Sequence, residues 1–298
     1  MHLIRCATLS VGDVERSEAL YRSWLGYETV ERGEVPYGLA RSWGAPECAG
    51  AEQAVMRPAS GAECFLRFVQ QPAVEAYRPL RSYGWAAVEL TVRDTDALHA
   101  RLEGSPFEVI GPPKELDGMS HIYPMQVRGP DGEIVYLTEI REQPEGYRLL
   151  QAGSDVDQVF ILVLACRDAE ATGRWLEGVL GLEMGGVFEI TYSMINTAFG
   201  LPADTRHPLA TLRHGDDVFL EVDTYPEAAV ERPRHEGWLP PGVAMGTFVC
   251  PRFAEVEGFA EVEGWIAEPV VHGGSVYGGR RSGVVRGPDG TLVELVEG

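Results

Sequence analysis

Two segments of this chain recur at nearly the same spacing. Residues 11–28 read VGDVERSEALYRSWLGYE and residues 166–183 read CRDAEATGRWLEGVLGLE, which sets Asp13 and Asp168, and likewise Gly26 and Gly181, 155 positions apart. Residues 127–139, VRGPDGEIVYLTE, return as residues 285–297, VRGPDGTLVELVE, at an offset of 158. Two different motifs repeating at almost one distance imply duplication. The halves are placed at 1–145 and 153–298, and the polar stretch from Glu142 to Asp155 is read as the linker.

The first motif is a strand running into a helix. Asp13 and Asp168 stand where a side-chain oxygen can accept from the free amides of a first helical turn. Gly26 and Gly181 stand where a left-handed residue ends the helix. Leu20 with Trp24, and Trp175 with Val179, lie four apart and give each helix an apolar face. The second motif is a Pro-Asp-Gly turn followed by alternating residues, the pattern of a strand returning from a hairpin.

Each half divides again. AAVELTVRDTDALHARLE (86–103) repeats the strand, Asp cap and helix, and MGTFVCPRFAEVEGFAE (245–261) does so with Arg252 in place of the Asp. Further strands are predicted around Tyr27–Glu31, Glu63–Gln70, Phe107–Gly111, Val187–Thr191 and Val218–Asp223. The expected fold class is α+β, with four βαβββ modules paired into two open, curled, mixed sheets and the helices outside.

Composition narrows the partners. With 45 acidic and 25 basic side chains the formal net charge is −20. Such a surface repels phosphate backbones and anionic lipid, which argues against nucleic acid and membrane partners. No run approaches the roughly 20 apolar residues of a membrane span. The opening MHLIRCATLSVGDVER has no basic leader with an apolar run behind it. Five cysteines, odd in number and without CxxC spacing, fit reduced thiols. The expectation is a cytoplasmic protein with a small-molecule ligand, monomeric or homodimeric, since four modules can complete their own cavities.

The strand with Val-x-Asp, the helix ending Leu-Gly-Tyr or Leu-Gly-Leu before Glu, and the closing Gly-Pro-Asp-Gly strand together resemble the vicinal oxygen chelate superfamily. Glyoxalase I, bleomycin resistance proteins, methylmalonyl-CoA epimerase and type I extradiol dioxygenases are members. The resemblance spans nearly the whole chain and implies two modules per U-shaped cavity. In metal-using members the ligands come from first strands, seven residues before the capping Asp, and last strands, four residues after the turn Gly. Carried over, the first half offers Cys6, Arg67, Ala87 and Tyr136, a set that excludes a metal site there. The second half offers Ile161, Glu221, Met245 and Glu294. Both histidines an extradiol dioxygenase needs are absent, so ring cleavage of that kind is disfavoured.

Glu221 and Glu294 are therefore expected to face each other across the C-terminal cavity. They would act as acid and base, or as ligands to a divalent cation such as Mg²⁺, the alternative being that no cofactor is bound. The plain alternative for each is a salt bridge or solvent. The Gly-rich stretch 270–283 offers His272, Tyr277 and Arg280 to a ligand, and the corresponding stretch 117–129 offers His121 and Tyr123. Tyr192, matched in the repeat by Tyr37, shares a face with Asn196 if the segment is a strand, and the pair would orient a carbonyl or hydroxyl. Arg67 and Tyr136 point into the first cavity as substrate contacts. Cys6 is read as a small buried residue because no base activates it. The functions open at this point are a lyase or isomerase acting on a small carbonyl or aromatic metabolite, a non-catalytic sequestration protein of the bleomycin-resistance kind, and a dioxygenase-like protein with shifted ligands.

Overall fold

The computed structural model describes residues 2–116, 119–258 and 264–298. Residues 117–118, which open the stretch carrying His121, and 259–261, which close the 245–261 unit, lie outside the described residues, as does Met1.

The first module runs β1 (Ile4–Val11), α1 (Val14–Leu25), β2 (Glu28–Glu34), α2 (Tyr37–Ser42), β3 (Glu52–Arg57) and β4 (Phe65–Gln70). The second runs β5 (Gly84–Val92), α3 (Thr95–Arg101), β6 (Glu108–Gly111), β7 (Ile122–Arg128) and β8 (Ile134–Ile140). The third runs β9 (Val156–Cys166), α4 (Ala169–Leu180), β10 (Glu183–Thr191), α5 (Ser193–Phe199), β11 (Arg206–His214) and β12 (Asp217–Thr224). The fourth runs β13 (Gly242–Cys250), β14 (Val270–Val271), α6 (Gly274–Tyr277), β15 (Arg281–Arg286) and β16 (Leu292–Glu297).

The helix signals act as expected. Asp13, Asp94 and Asp168 accept from the amides of Arg16, Ala97 and Ala171 at 2.8, 2.9 and 2.9 Å. Gly26 and Gly181 end their helices at φ 71° and 69°. Where Arg252 replaces the capping Asp, no α-helix starts, and the chain makes a 3₁₀ turn over Phe253–Gly258. An arginine cannot accept from the first-turn amides, so the nucleus lacks its cap.

Among the described residues the strands form two eight-stranded mixed sheets. Their orders are β14-β15-β16-β13-β1-β4-β3-β2 and β10-β11-β12-β9-β5-β8-β7-β6. This corrects the expected pairing. Module one joins module four through the antiparallel pair β1–β13, and module two joins module three through β5–β9. Each sheet thus draws on both halves of the sequence, and the division at 145 and 153 follows the repeat rather than the cavities. β5 and β9 are buried along nearly their whole length on both faces, so each requires a full strand neighbour on either side and a packed layer on either face. One face of each sheet shares a continuous core with α1, α3 and α4, in which Leu9, Leu90, Leu162 and Phe248 take part. The other face of each sheet is the place for a site.

Candidate active site

The two inward faces are built from equivalent positions and differ completely. In the sheet of modules one and four, α2 and α6 fill the hollow. Trp43, Leu39, Tyr277 and Val276 pack there with Cys6, Val55 and Met245. At the centre, Glu294 is fully buried and accepts from Trp43 Nε1 (2.9 Å) and the Tyr277 hydroxyl (2.8 Å) on one oxygen, and from the Thr247 hydroxyl (2.7 Å) on the other. Arg67, 2% exposed, donates through Nη1 to the same Tyr277 hydroxyl at 2.9 Å and lies 5.1 and 5.0 Å from the Trp43 and Tyr277 ring centroids. Arg67 and Glu294 therefore compensate each other through Tyr277, in a hollow that the side chains of the two short helices occupy. His272 packs beside Tyr277, its ring centroid 5.2 Å away, with Nε2 unpartnered. Cys6 is buried here, and desolvation pushes its thiol up to about 12, so it is no nucleophile.

In the sheet of modules two and three, the equivalent face holds a cavity of about 540 Å³. That volume is ordinary for a small-molecule site. Its walls are largely apolar, with Phe160, Ile161, Ile122, Leu149 and Met184 among them, and its floor carries Glu89, Glu221, Tyr136 and Tyr192. Glu221 on β12 accepts the Tyr192 hydroxyl at 2.5 Å. Burial raises its affinity for a proton, while hydrogen bonds from Tyr192 and Asp223 oppose the rise. Asp223 follows two residues later on the same face and is raised well above the usual range, first by burial and then by the charge of Glu221. Neither Asp223 oxygen has a hydrogen-bond partner among the described residues, and a buried carboxyl without donors, beside Glu221, is better accommodated with its proton on. Glu89 on β5 is pushed up to about 8 by burial and the nearby Glu221, and the Thr138 hydroxyl donates to it at 2.5 Å. The floor therefore gathers three buried carboxyls whose affinity for a proton is raised, Glu221 less than its neighbour Asp223 because hydrogen bonds oppose the rise, and Glu89 keeps its proton at neutral pH.

The rim comes partly from the stretch read as a linker. Tyr147 and Leu149 line the cavity, and the Tyr147 hydroxyl lies 3.0 Å from His121 Nε2. Burial lowers the His121 pKa, which keeps the ring neutral at pH 7. Phe188 and Arg213 also line the cavity.

The sites expected from sequence thus sort into two groups. Glu221, Tyr192, Tyr136 and His121 meet at the open cavity. Glu294, Tyr277, Arg67 and His272 gather at the filled face. Glu221 and Glu294 do not face each other, because their strands belong to different sheets. Tyr192 and Asn196 are not on a strand either. Tyr192 precedes α5, and Asn196 is buried within it, holding the carbonyls of Ala203 and Thr205 at 3.1 and 2.9 Å and the His207 ring at 2.6 Å. Its amide is occupied in shaping a loop, away from the cavity. Tyr37 is 65% exposed, Arg280 bonds the carbonyl of Tyr277, and Tyr123 lies against Arg141. None of these three lines the cavity.

The donor sets now follow the observed pairing. The open face offers Ala87, Tyr136, Ile161 and Glu221 at the four positions that carry metal ligands in the superfamily, and the filled face offers Cys6, Arg67, Met245 and Glu294. One carboxylate among two aliphatic residues and a tyrosine does not make a divalent-metal site, and an arginine within the other set opposes a cation. Among the described residues no group of three or more His, Cys, Asp or Glu side chains is arranged to hold a metal ion. The residues at these positions therefore do not fit a divalent metal on either face.

No family model matches the chain, and no curated protein matches it in sequence. Solved structures do. A variant of glyoxalase I from Zea mays superposes with a TM-score of 0.66 at 16% identity, over 99% of this chain and 93% of that one. The unmodified glyoxalase I from Zea mays gives 0.62 at 16% identity, over 99% and 92%. A putative dioxygenase from Bacillus subtilis gives 0.63 at 14%, over 99% and 85%. The chain has the fold of the vicinal oxygen chelate superfamily, in its four-module form. No described helix is long and apolar enough to cross a membrane.

Proposed function

We propose that this protein is an enzyme that moves a proton on a small, largely apolar carbonyl or aromatic compound, a reaction of the isomerase or lyase kind. The observation that carries this reading is a carboxylate, Glu221, aimed by Tyr192 at 2.5 Å and opening onto an apolar cavity of about 540 Å³. Glu221 removes the proton beside the carbonyl. Glu89, protonated at neutral pH, supplies one to the oxygen or to the neighbouring carbon. Positioned acid–base groups of matched pKa contribute typically about 10²–10⁴-fold each. The resemblance to glyoxalase I in fold supports small-molecule chemistry on this scaffold without naming the substrate.

The test is exchange of solvent deuterium next to the carbonyl, followed by proton NMR, across a panel of aryl ketones, arylpyruvates and phenolic aldehydes. Wild-type protein should label at least one compound, and Glu221→Gln should lower that rate at least 100-fold while melting unchanged. Compounds that displace an anilinonaphthalene dye from the cavity yet never exchange with the wild type would overturn the enzyme reading and leave sequestration.

A further inference from the structure

The Val-Arg-Gly-Pro-Asp-Gly motif ends in two different electrostatic settings. In the first copy Arg128 pairs with Glu108 across β6 and β7. Asp131 takes the Gly12 amide at 2.9 Å and the Arg16 guanidinium at 2.7 and 2.8 Å. In the second copy Asp289 likewise takes the amide and guanidinium of Arg167, at 2.8 and 2.7 Å. Arg286, the counterpart of Arg128, has no hydrogen bond or ion pair from its side chain among the described residues, and neither does Arg234, whose charge it opposes.

A cleft of about 390 Å³ opens around these two arginines, near the starts of β5 and β16. Arg167 and Arg232 also line it, but both are engaged. Arg167 is held by Asp289, and Arg232 donates to the carbonyls of Trp85 and Val243 at 2.8 and 2.9 Å. Glu231 lines the cleft without pairing with either free arginine. Four arginines against two acidic groups is the reverse of the chain as a whole, which carries 45 acidic and 25 basic residues. Two guanidiniums lining one cleft repel each other, and an anion held between them relieves that repulsion.

We propose that this cleft binds the phosphate group of a small molecule, held by the guanidinium forks of Arg234 and Arg286. A carboxylate has two oxygens and one charge, and a single fork satisfies it. A phosphate carries three terminal oxygens and close to two charges, which suits two forks arriving from different sides. The cleft is larger than a bare phosphate needs and falls in the size range of small-ligand sites. It shares no lining residue with the carboxyl-floored cavity, so it stands independently of the proposed reaction.

The test is ³¹P NMR titration of the whole protein with inorganic phosphate and pyrophosphate at low ionic strength, against chloride of matched ionic strength, with succinate as competitor. Both arginines are exposed, so Arg234→Gln and Arg286→Gln should fold normally, which circular dichroism melting checks. Each single variant should weaken phosphate binding at least tenfold, and the double variant should abolish it. Arg16→Gln should leave it unchanged. Binding that survives in the double variant, no binding beyond the chloride control, or succinate competing as strongly as phosphate would each overturn the assignment.

Discussion

The two inward faces share one strand arrangement and treat a polar group in an apolar hollow in opposite ways. In the sheet of modules one and four, Glu294 has three donors, a compensating Arg67 and a lid of aromatic side chains. In the sheet of modules two and three, Glu221 has a tyrosine and a protonated neighbour and otherwise opens into the cavity. A buried carboxylate tied to three donors is held in one arrangement, whereas carboxyls left short of partners hold protons they can exchange. The same residue type at matching positions thus serves structure on one face and is available for chemistry on the other.

If this contrast is right, exchanging the acids for amides should separate the two faces. The largest effect is expected from Glu221→Gln, a loss of turnover of about 10²–10⁴-fold with little change in melting temperature. Glu294→Gln should behave the other way, leaving Arg67 buried without its counter-charge. Breaking a buried pair by removing one partner costs about 3–5 kcal/mol, readable as a lower denaturation midpoint, and Arg67→Met should be destabilising for the reciprocal reason. A Glu294 variant that keeps full stability would erase the distinction.

Smaller effects sharpen it through pH. Glu89 has a folded pKa near 8, above its ordinary value of 4.5, so the folded state binds the extra proton between those limits. Its contribution to stability is present at about pH 5 and is lost as pH rises through 8. Glu133, raised to about 7 by burial, adds a slope of the same sign. Glu89→Gln should therefore flatten, without abolishing, the decline in denaturation midpoint between pH 5 and 8. The same proton should govern turnover, and kcat/KM should fall above about pH 8 in the wild type. The smallest expected effect is from Tyr192→Phe, which removes one donor to Glu221. A loss of roughly tenfold or less in turnover, in keeping with one hydrogen bond to a charged group of about 1.5 kcal/mol, should come with a raised lower limb of the pH profile.

Much of this is legible in the chain before folding. The capping aspartates, terminating glycines and Pro-Asp-Gly turns are local signals, and they place the modules and the fold class. Module pairing is a long-range choice among similar strands, and nothing within β1, β5, β9 or β13 names its partner, which is why sequence alone sets Glu221 against Glu294. Glu89 and Asp223 are within reach of sequence reasoning. Each lies two residues beyond a ligand-equivalent position, Ala87 and Glu221, and alternation puts both on the inward face. Glu89 is also a lone charge in the otherwise apolar run AAVELTV. Tyr147 and Leu149 are hidden by the polar residues around them, although Tyr-Arg-Leu-Leu is too apolar for an idle linker. The plugging of the other face by Trp43 and Tyr277 depends on how two short helices fold back, which no periodicity encodes.

The most direct measurement is carbon-13 NMR of side-chain carboxyls in protein labelled at glutamate and aspartate. Expected is a glutamate signal titrating near pH 8 that disappears in Glu89→Gln, and an aspartate signal still protonated at pH 7 that disappears in Asp223→Asn. If every carboxyl in the protein has lost its proton by pH 6, the floor of the open cavity holds no exchangeable acid and the assignment of chemistry to that face fails.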